Sequence, residues 1–144
     1  MSQENVDLVR SLFEPFDGID ATTIDWTADA IRDLLGGAYT PDAELITLDI
    51  AMGLDLEDRY VGVDGVAEYL SKWLEPFSEY HVHNLDYIEA GDCVLVPSSQ
   101  WGVGKGSGAR VELELTTLYE VRDGKIARAQ QYETLAEARA AAES

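Results

Sequence analysis

The stretch that most limits how this chain can fold is Val111–Val121. Val111, Leu113, Leu115, Thr117, Tyr119 and Val121 alternate there with Glu112, Glu114, Thr116 and Glu120. Successive side chains of a strand point to opposite faces, so the period of two predicts a strand with one buried and one wet face. Asp123-Gly124 follows, a two-residue hairpin signal in which both residues take positive φ. The run "KIARAQQYE" then returns alongside. A sheet of this kind needs a cover for its apolar face.

The N-terminal half supplies helices. Val6, Val9, Phe13 and Phe16, flanked by Leu8 and Leu12, give helical spacing over residues 3–16. Ser2 is a suitable cap, and Pro15 marks a kink or stop. "DGIDATTID" reads as loop. Trp26, Ala30, Ile31, Leu34 and Leu35 predict a second helix, capped by Asp25 or Thr27 and stopped by Gly36-Gly37. "AELITLD" (43–49) reads as a strand, and "IAMGLDLEDRYVG" as a loop lying over something. Asp64 caps a third helix with Val66, Leu70, Trp73 and Phe77 on one face, ended by Pro76. From residue 81 four strand-like runs follow, separated by "AGD", "GSG" and "RDGK". The tail "LAEARAAAES" is a short helix or a frayed end. These elements predict an α+β fold, with helices packed on one face of a curved antiparallel sheet, and residues 1–144 as a single domain.

Composition narrows the partners. Apolar residues make up 46% of the chain, which argues against disorder. The net charge of −18 repels phosphate backbones and anionic lipid, so neither nucleic acid nor membrane is an expected partner. No apolar run is long enough to span a bilayer, and "MSQENVDLVR" lacks the apolar core of a signal peptide. Cys93 is the sole cysteine. It can build no disulfide or zinc knuckle within one chain, and a reducing cytoplasm is the expected location.

"SQENVDLVRSLFEPF", "YVGVDGVAEYL", "IEAGDCVLV" and "VELELTTLYEVRDGKIARAQQYE", in that order, resemble successive segments of the SnoaL-like branch of the nuclear-transport-factor-2-like superfamily. The resemblance implies a cone, with a bent sheet around three helices and a pocket at the wide end, often in a homodimer. Members include ketosteroid isomerases, polyketide cyclases, epoxide hydrolases, dehydratases and non-catalytic binding domains, so the fold does not select a function.

The residues do not supply the catalytic sets that the resemblance brings with it. An isomerase needs a carboxylate base, with a tyrosine and a neutral acid on the enolate oxygen. The corresponding positions are Thr47, Leu12 and Thr117. Epoxide-hydrolase relatives use an Arg-x-Asp strand, where this chain has "SSQWGVG". They and the cyclases place an acid just before the final-strand tyrosine, where Gln131 stands before Tyr132. A glutamine cannot act as a base near neutrality, but it can hydrogen-bond a carbonyl or hydroxyl. Gln131 is expected to line the pocket and Gln130 to face outward. The alternative is that Gln131 satisfies backbone groups at the end of the sheet.

What remains is recognition chemistry. Trp26, Tyr39, Trp101 and Tyr119 are candidate aromatic walls, and Thr47, Thr117 and Gln131 are candidate polar handles. For each aromatic the competing reading is an ordinary core residue. Asp49 is the carboxylate to test for catalysis. No cofactor is expected. His81 and His83 share a strand face but lack a third metal ligand at regular spacing, so no metal is expected. "WGVGKGSG" lacks a phosphate-loop fingerprint, and its Gly102 and Gly104 leave one strand face bare, open to close approach or to bending. Three functions stay open. They are a domain binding a small apolar or amphipathic molecule, an enzyme on a polyketide- or terpenoid-like substrate using Asp49, and a solid-core interaction module. A homodimer burying Tyr132, Gln130 and Leu118 suits all three.

Overall fold

The computed structural model describes residues 2–48 and 59–143. Asp49 and most of the predicted covering loop lie outside the described residues. Helix α1 spans Ser2–Phe13 and buries Val6, Val9 and Leu12, as the spacing requires. Pro15 falls in the 3-10 turn Glu14–Phe16 that ends it. A second 3-10 turn, Ala21–Thr23, is capped by Asp20, which also accepts a hydrogen bond from the Tyr80 amide at 3.1 Å.

Helix α2 spans Asp29–Ala38, so both of its ends differ from the sequence expectation. Asp25 closes a turn onto Thr27 instead of capping the helix. Gly36 and Gly37 lie inside the helix, which closes where Tyr39 N–H reaches Leu35 C=O. Strand β1 covers Tyr39–Ile46, β2 Arg59–Val61, and helix α3 Gly62–Leu74. Asp64 sits in the first turn of α3, not at its cap, and pairs with Arg32 of α2.

The first of the four expected strand runs divides into β3 (Phe77–Asn84) and β4 (Ile88–Ala90). Strands β5 (Cys93–Gly104), β6 (Arg110–Arg122) and β7 (Lys125–Tyr132) follow, then helix α4 (Leu135–Glu143). Asp123 and Gly124 take φ 53° and 78°, the positive values their turn demands. The described strands form one open sheet in the order β2-β1-β7-β6-β5-β3, with β4 on β5. The sheet is mixed: β1 joins β7 in parallel, while the other pairs are antiparallel.

Two corrections concern which side chains face inward. Pairing shifts from Glu120–Arg128 to Val121–Ile126, so Ala127 is an extra residue, a β-bulge. The bulge reverses parity, and Ile126 enters the core with Val121. Second, the outer face of β5 and β6 is not wet throughout. The alanine-rich tail is a helix whose Ala138 packs on Leu95 and Leu118, and Thr116 beside them is also buried. Leu118 is therefore covered by its own chain and is not available to a dimer contact. Helices α1, α2 and α3 cover the opposite, inner face. Among the described residues no helix is long and apolar enough to cross a membrane.

Candidate functional site

The inner face of the sheet and the three covering helices do not close completely. They leave a cavity of about 190 Å³. It is smaller than the roughly 300 Å³ at which drug-sized ligand pockets begin, and comparable to the ~150 Å³ that holds a benzene ring. Its wall is mainly aromatic and aliphatic. Tyr69 and Trp73, one turn apart on α3, stack at 6.1 Å, and Trp73 meets Tyr80 edge-on at 6.0 Å. On the other side Phe13 lies 5.2 Å from Tyr119. Trp26 packs against Phe16 near the 3-10 turns and donates its indole N–H to Ala21 C=O.

The polar groups of the wall come from strand positions of inward parity. Gln131 ends β7 on this face. Its Oε1 accepts from Leu48 N–H at 3.0 Å, and its Nε2 donates to Tyr69 Oη at 2.8 Å. The backbone donor fixes which end of the amide carries oxygen. Thr117 stands opposite Gln131 in the β6–β7 ladder and lines the cavity beside Tyr119. On β5, Gln100 Oε1 accepts from Tyr80 O–H at 2.7 Å, and Gln100 Nε2 donates to Ser98 Oγ at 3.0 Å. Tyr80 reaches across β5 because Gly102 has no side chain. A Cβ there would lie 2.5 Å from Tyr80 Cδ2 and 3.0 Å from Phe77 Cδ1.

These phenols stay protonated. Burial pushes the Tyr69 pKa up to about 12 and raises those of Tyr39, Tyr80 and Tyr119 further. Asp17 is the one carboxylate among the described residues of the wall, and no lysine, arginine or histidine is among them. Asp17 is exposed at the rim and accepts the Asn84 N–H at 2.7 Å. The site offers neutral hydrogen-bonding groups in an apolar wall.

The cavity brings together Trp26, Tyr39, Thr117, Tyr119 and Gln131 of the candidate residues. Trp101 is not among them. On β5 the buried Val94 and Val96 set the inward parity, which passes through Ser98 and Gln100 and leaves Trp101 on the outer face. There it stacks on His81 at 4.3 Å and lies under the Arg110 guanidinium. Thr47 follows the end of β1, half-buried, outside the cavity wall. Tyr69, Trp73, Tyr80 and Gln100 are wall residues that the candidate set omits. Tyr69 was detectable, since it falls three residues after Val66 and four before Trp73. Gln100 was detectable from the parity of Val94 and Val96.

His81 is not placed for metal binding. Its Nδ1 lies 3.0 Å from Gly18 C=O and its Nε2 3.0 Å from Glu79 Oε2. Both partners are acceptors, so the ring satisfies them only as the doubly protonated cation, and its pKa is raised chiefly by Glu79 and then by Gly18. Among the described residues no three His, Cys, Asp or Glu side chains come close enough together to hold a metal ion.

The architecture is that of solved structures with 20% sequence identity. A putative SnoaL-like polyketide cyclase from Jannaschia sp. CCS1 superposes with a TM-score of 0.70, covering 100% of this chain and 94% of the other. TerC, co-crystallised with polyporic acid, gives 0.68 over 98% and 99% of the two chains. A protein of ketosteroid isomerase-like fold from Catenulispora acidiphila DSM 44928, in complex with trimethylamine, gives 0.60 over 82% and 85%. At this identity the likeness shows the fold, an α+β cone. No curated protein sequence matches the chain. The SnoaL-like domain matches residues 26–129, from Trp26 at the cavity wall to Ala129 on its floor. That span is most of the chain, and the protein belongs to the SnoaL-like domain family.

Proposed function

We propose that this protein binds a compact, largely apolar small molecule inside the cone, without the acid/base sets of the family's catalysts. The observation that carries this reading is the wall itself. Aromatic and aliphatic groups enclose a real but small space, and Gln131, where cyclase and hydrolase relatives carry an acid, hydrogen-bonds Tyr69. An apolar wall with a few fixed polar groups is the usual form of a ligand site. The net charge of −18 supports a partner that is neither nucleic acid nor anionic membrane. The free thiol of Cys93 supports a reducing, cytoplasmic setting. Native mass spectrometry of the purified protein tests the reading: it predicts a small adduct, or uptake of an added small aromatic, lost on denaturation. Failure of both would sink it.

An enzymatic reading draws support from relatives described as putative polyketide cyclases from Jannaschia and Sinorhizobium meliloti. Its base would be Asp49. Asp49→Asn would then abolish turnover of a bound substrate while leaving its affinity unchanged. Under the binding reading there is no turnover to lose. We also propose a homodimer through the part of the outer face that α4 leaves open, around Gln130; Tyr132, half-buried, packs against the Leu95, Leu118 and Ala138 cluster. Sedimentation equilibrium should give twice the chain mass, and a monomer at all concentrations would exclude it.

A further inference from the structure

We infer that residues 17–27 form a strap that opens the cavity, hinged on β3, and that a ligand enters between this strap and Leu34 of α2. The inference rests on the cavity being a binding site and states how a molecule reaches it. Among the described residues of the wall, the exposed ones are Asp17, Ile19 and Leu34. The strap carries the first two and α2 the third, so the mouth lies between them. Ile24 and Trp26 continue the strap's side of the wall.

The strap is attached unevenly. Strand β3 is an edge of the sheet, and the strap occupies its open side, where Asp20 bridges to His81. Gly18 N–H donates to Val82 C=O at 2.9 Å, and Asp17 accepts from the Asn84 amide. Asp20 Oδ1 accepts from Tyr80 N–H at 3.1 Å, and also from the Thr22 amide and hydroxyl at 3.0 and 2.7 Å. One carboxylate thus pins the strap to β3 and shapes its turn. Away from β3 the strap offers apolar contacts instead: Ala21 and Trp26 pack on the cluster that holds Trp73 and Leu74. Trp26 gives its indole N–H to Ala21 within the strap. Between the buried Leu12 and the buried Leu35 no residue is buried. Segments with few buried groups open locally at far lower cost than global unfolding. The hollow beneath also denies the strap packing partners on that side. The strap therefore opens away from its hydrogen-bonded edge, toward α2.

The test joins amide exchange with the binding kinetics of fluorobenzene. In the wild type the Gly18, Tyr80 and Asn84 amides should share one opening, at least tenfold more frequent than that of the central β6 amides, and fluorobenzene should suppress it. Asp20→Ala should raise the opening at Gly18 and Asn84 too, although their amides do not touch Asp20. Fluorine NMR exchange should show its association and dissociation rates both rising about three- to tenfold, the worth of one hydrogen bond, with Kd within twofold of wild type. Ala138→Asp, on the far face of the sheet, should leave both rates unchanged. Exchange of the three amides only together with central β6 would mean a fixed strap, overturning the entrance and leaving the binding reading intact. Ligand rates unmoved by Asp20→Ala, or moved equally by Ala138→Asp, would do the same. Failure of fluorobenzene to bind would overturn both.

Discussion

Gln131 holds Tyr69 from 62 positions away in sequence, its Nε2 donating to the phenol oxygen at 2.8 Å while its Oε1 is held by the Leu48 amide. The amide thus joins the end of β7, the end of β1 and helix α3 at one point of the cavity wall. Gln131→Leu removes both bonds and leaves the Leu48 N–H without its acceptor. Urea unfolding should show a loss of about 1–3 kcal/mol, the cost of stranding a buried polar group. Tyr69→Phe should cost less, about 0.5–1.5 kcal/mol, because the remaining Nε2 hydrogens can be solvated. Losses below ~0.5 kcal/mol for Gln131→Leu would place the amide in water.

Gly102 sits beneath Tyr80 and Phe77 with no room for a methyl group. Gly102→Ala should therefore cost about 1–3 kcal/mol through overpacking, although alanine is the better strand residue. The substitution should also displace Tyr80 from Gln100, visible as a change in tyrosine near-ultraviolet circular dichroism. Unchanged stability and an unchanged spectrum would mean that the ring does not cross β5 at this residue.

The sheet was legible because alternation is a local signal. The β6 pattern and Asp123-Gly124 together leave few other arrangements. What was not legible depended on events that alternation does not record. The extra residue at Ala127 switches Ile126 to the core, and no composition marks it. Alanine-rich α4 carries too little apolar surface to announce that it covers Leu118. Trp101 was an attractive pocket aromatic by type, yet parity counted from Val94 sends it outward and Gln100 inward. Gln131 could be placed because its neighbour Tyr132 fixed the register of the resemblance. Its bond to Tyr69 is a tertiary contact that sequence spacing cannot express.

His81 links the outer face of β3 to the segment that borders the cavity. Its ring faces Glu79 on its own strand and Gly18 and Asp20 on that segment, and stacks on Trp101, which lies under Arg110. The folded pKa is raised above its ordinary 6.5. A raised histidine pKa contributes stability that is fully present below the unfolded value and is lost as pH rises through the folded one. The stability difference between wild type and His81→Gln should thus be larger near pH ~6 than near pH ~9. Using the difference cancels the self-repulsion of the acidic surface, which both proteins share. A gap that stays constant with pH would show that the ring binds as a neutral species.

Ala138 has no exposed surface, and packs against Leu95 and Leu118, which also have none. Helix α4 is short, and its sequence gives it little reason to persist alone, since isolated helices of this length are marginal in water. Its stability therefore comes from this contact, and the outer face of β5 and β6 depends on it in return. Ala138→Asp places a carboxylate between two leucines and should cost more than about 2 kcal/mol. Ala136→Asp, on the exposed side of the same helix and near its N-terminus, should fall within about 0.5 kcal/mol of wild type. Detachment of α4 would also uncover Leu118, so Ala138→Asp should bind a hydrophobic dye that Ala136→Asp does not. Equal stability of the two variants would mean that the tail does not dock on the sheet, and would return Leu118 to the surface available for self-association.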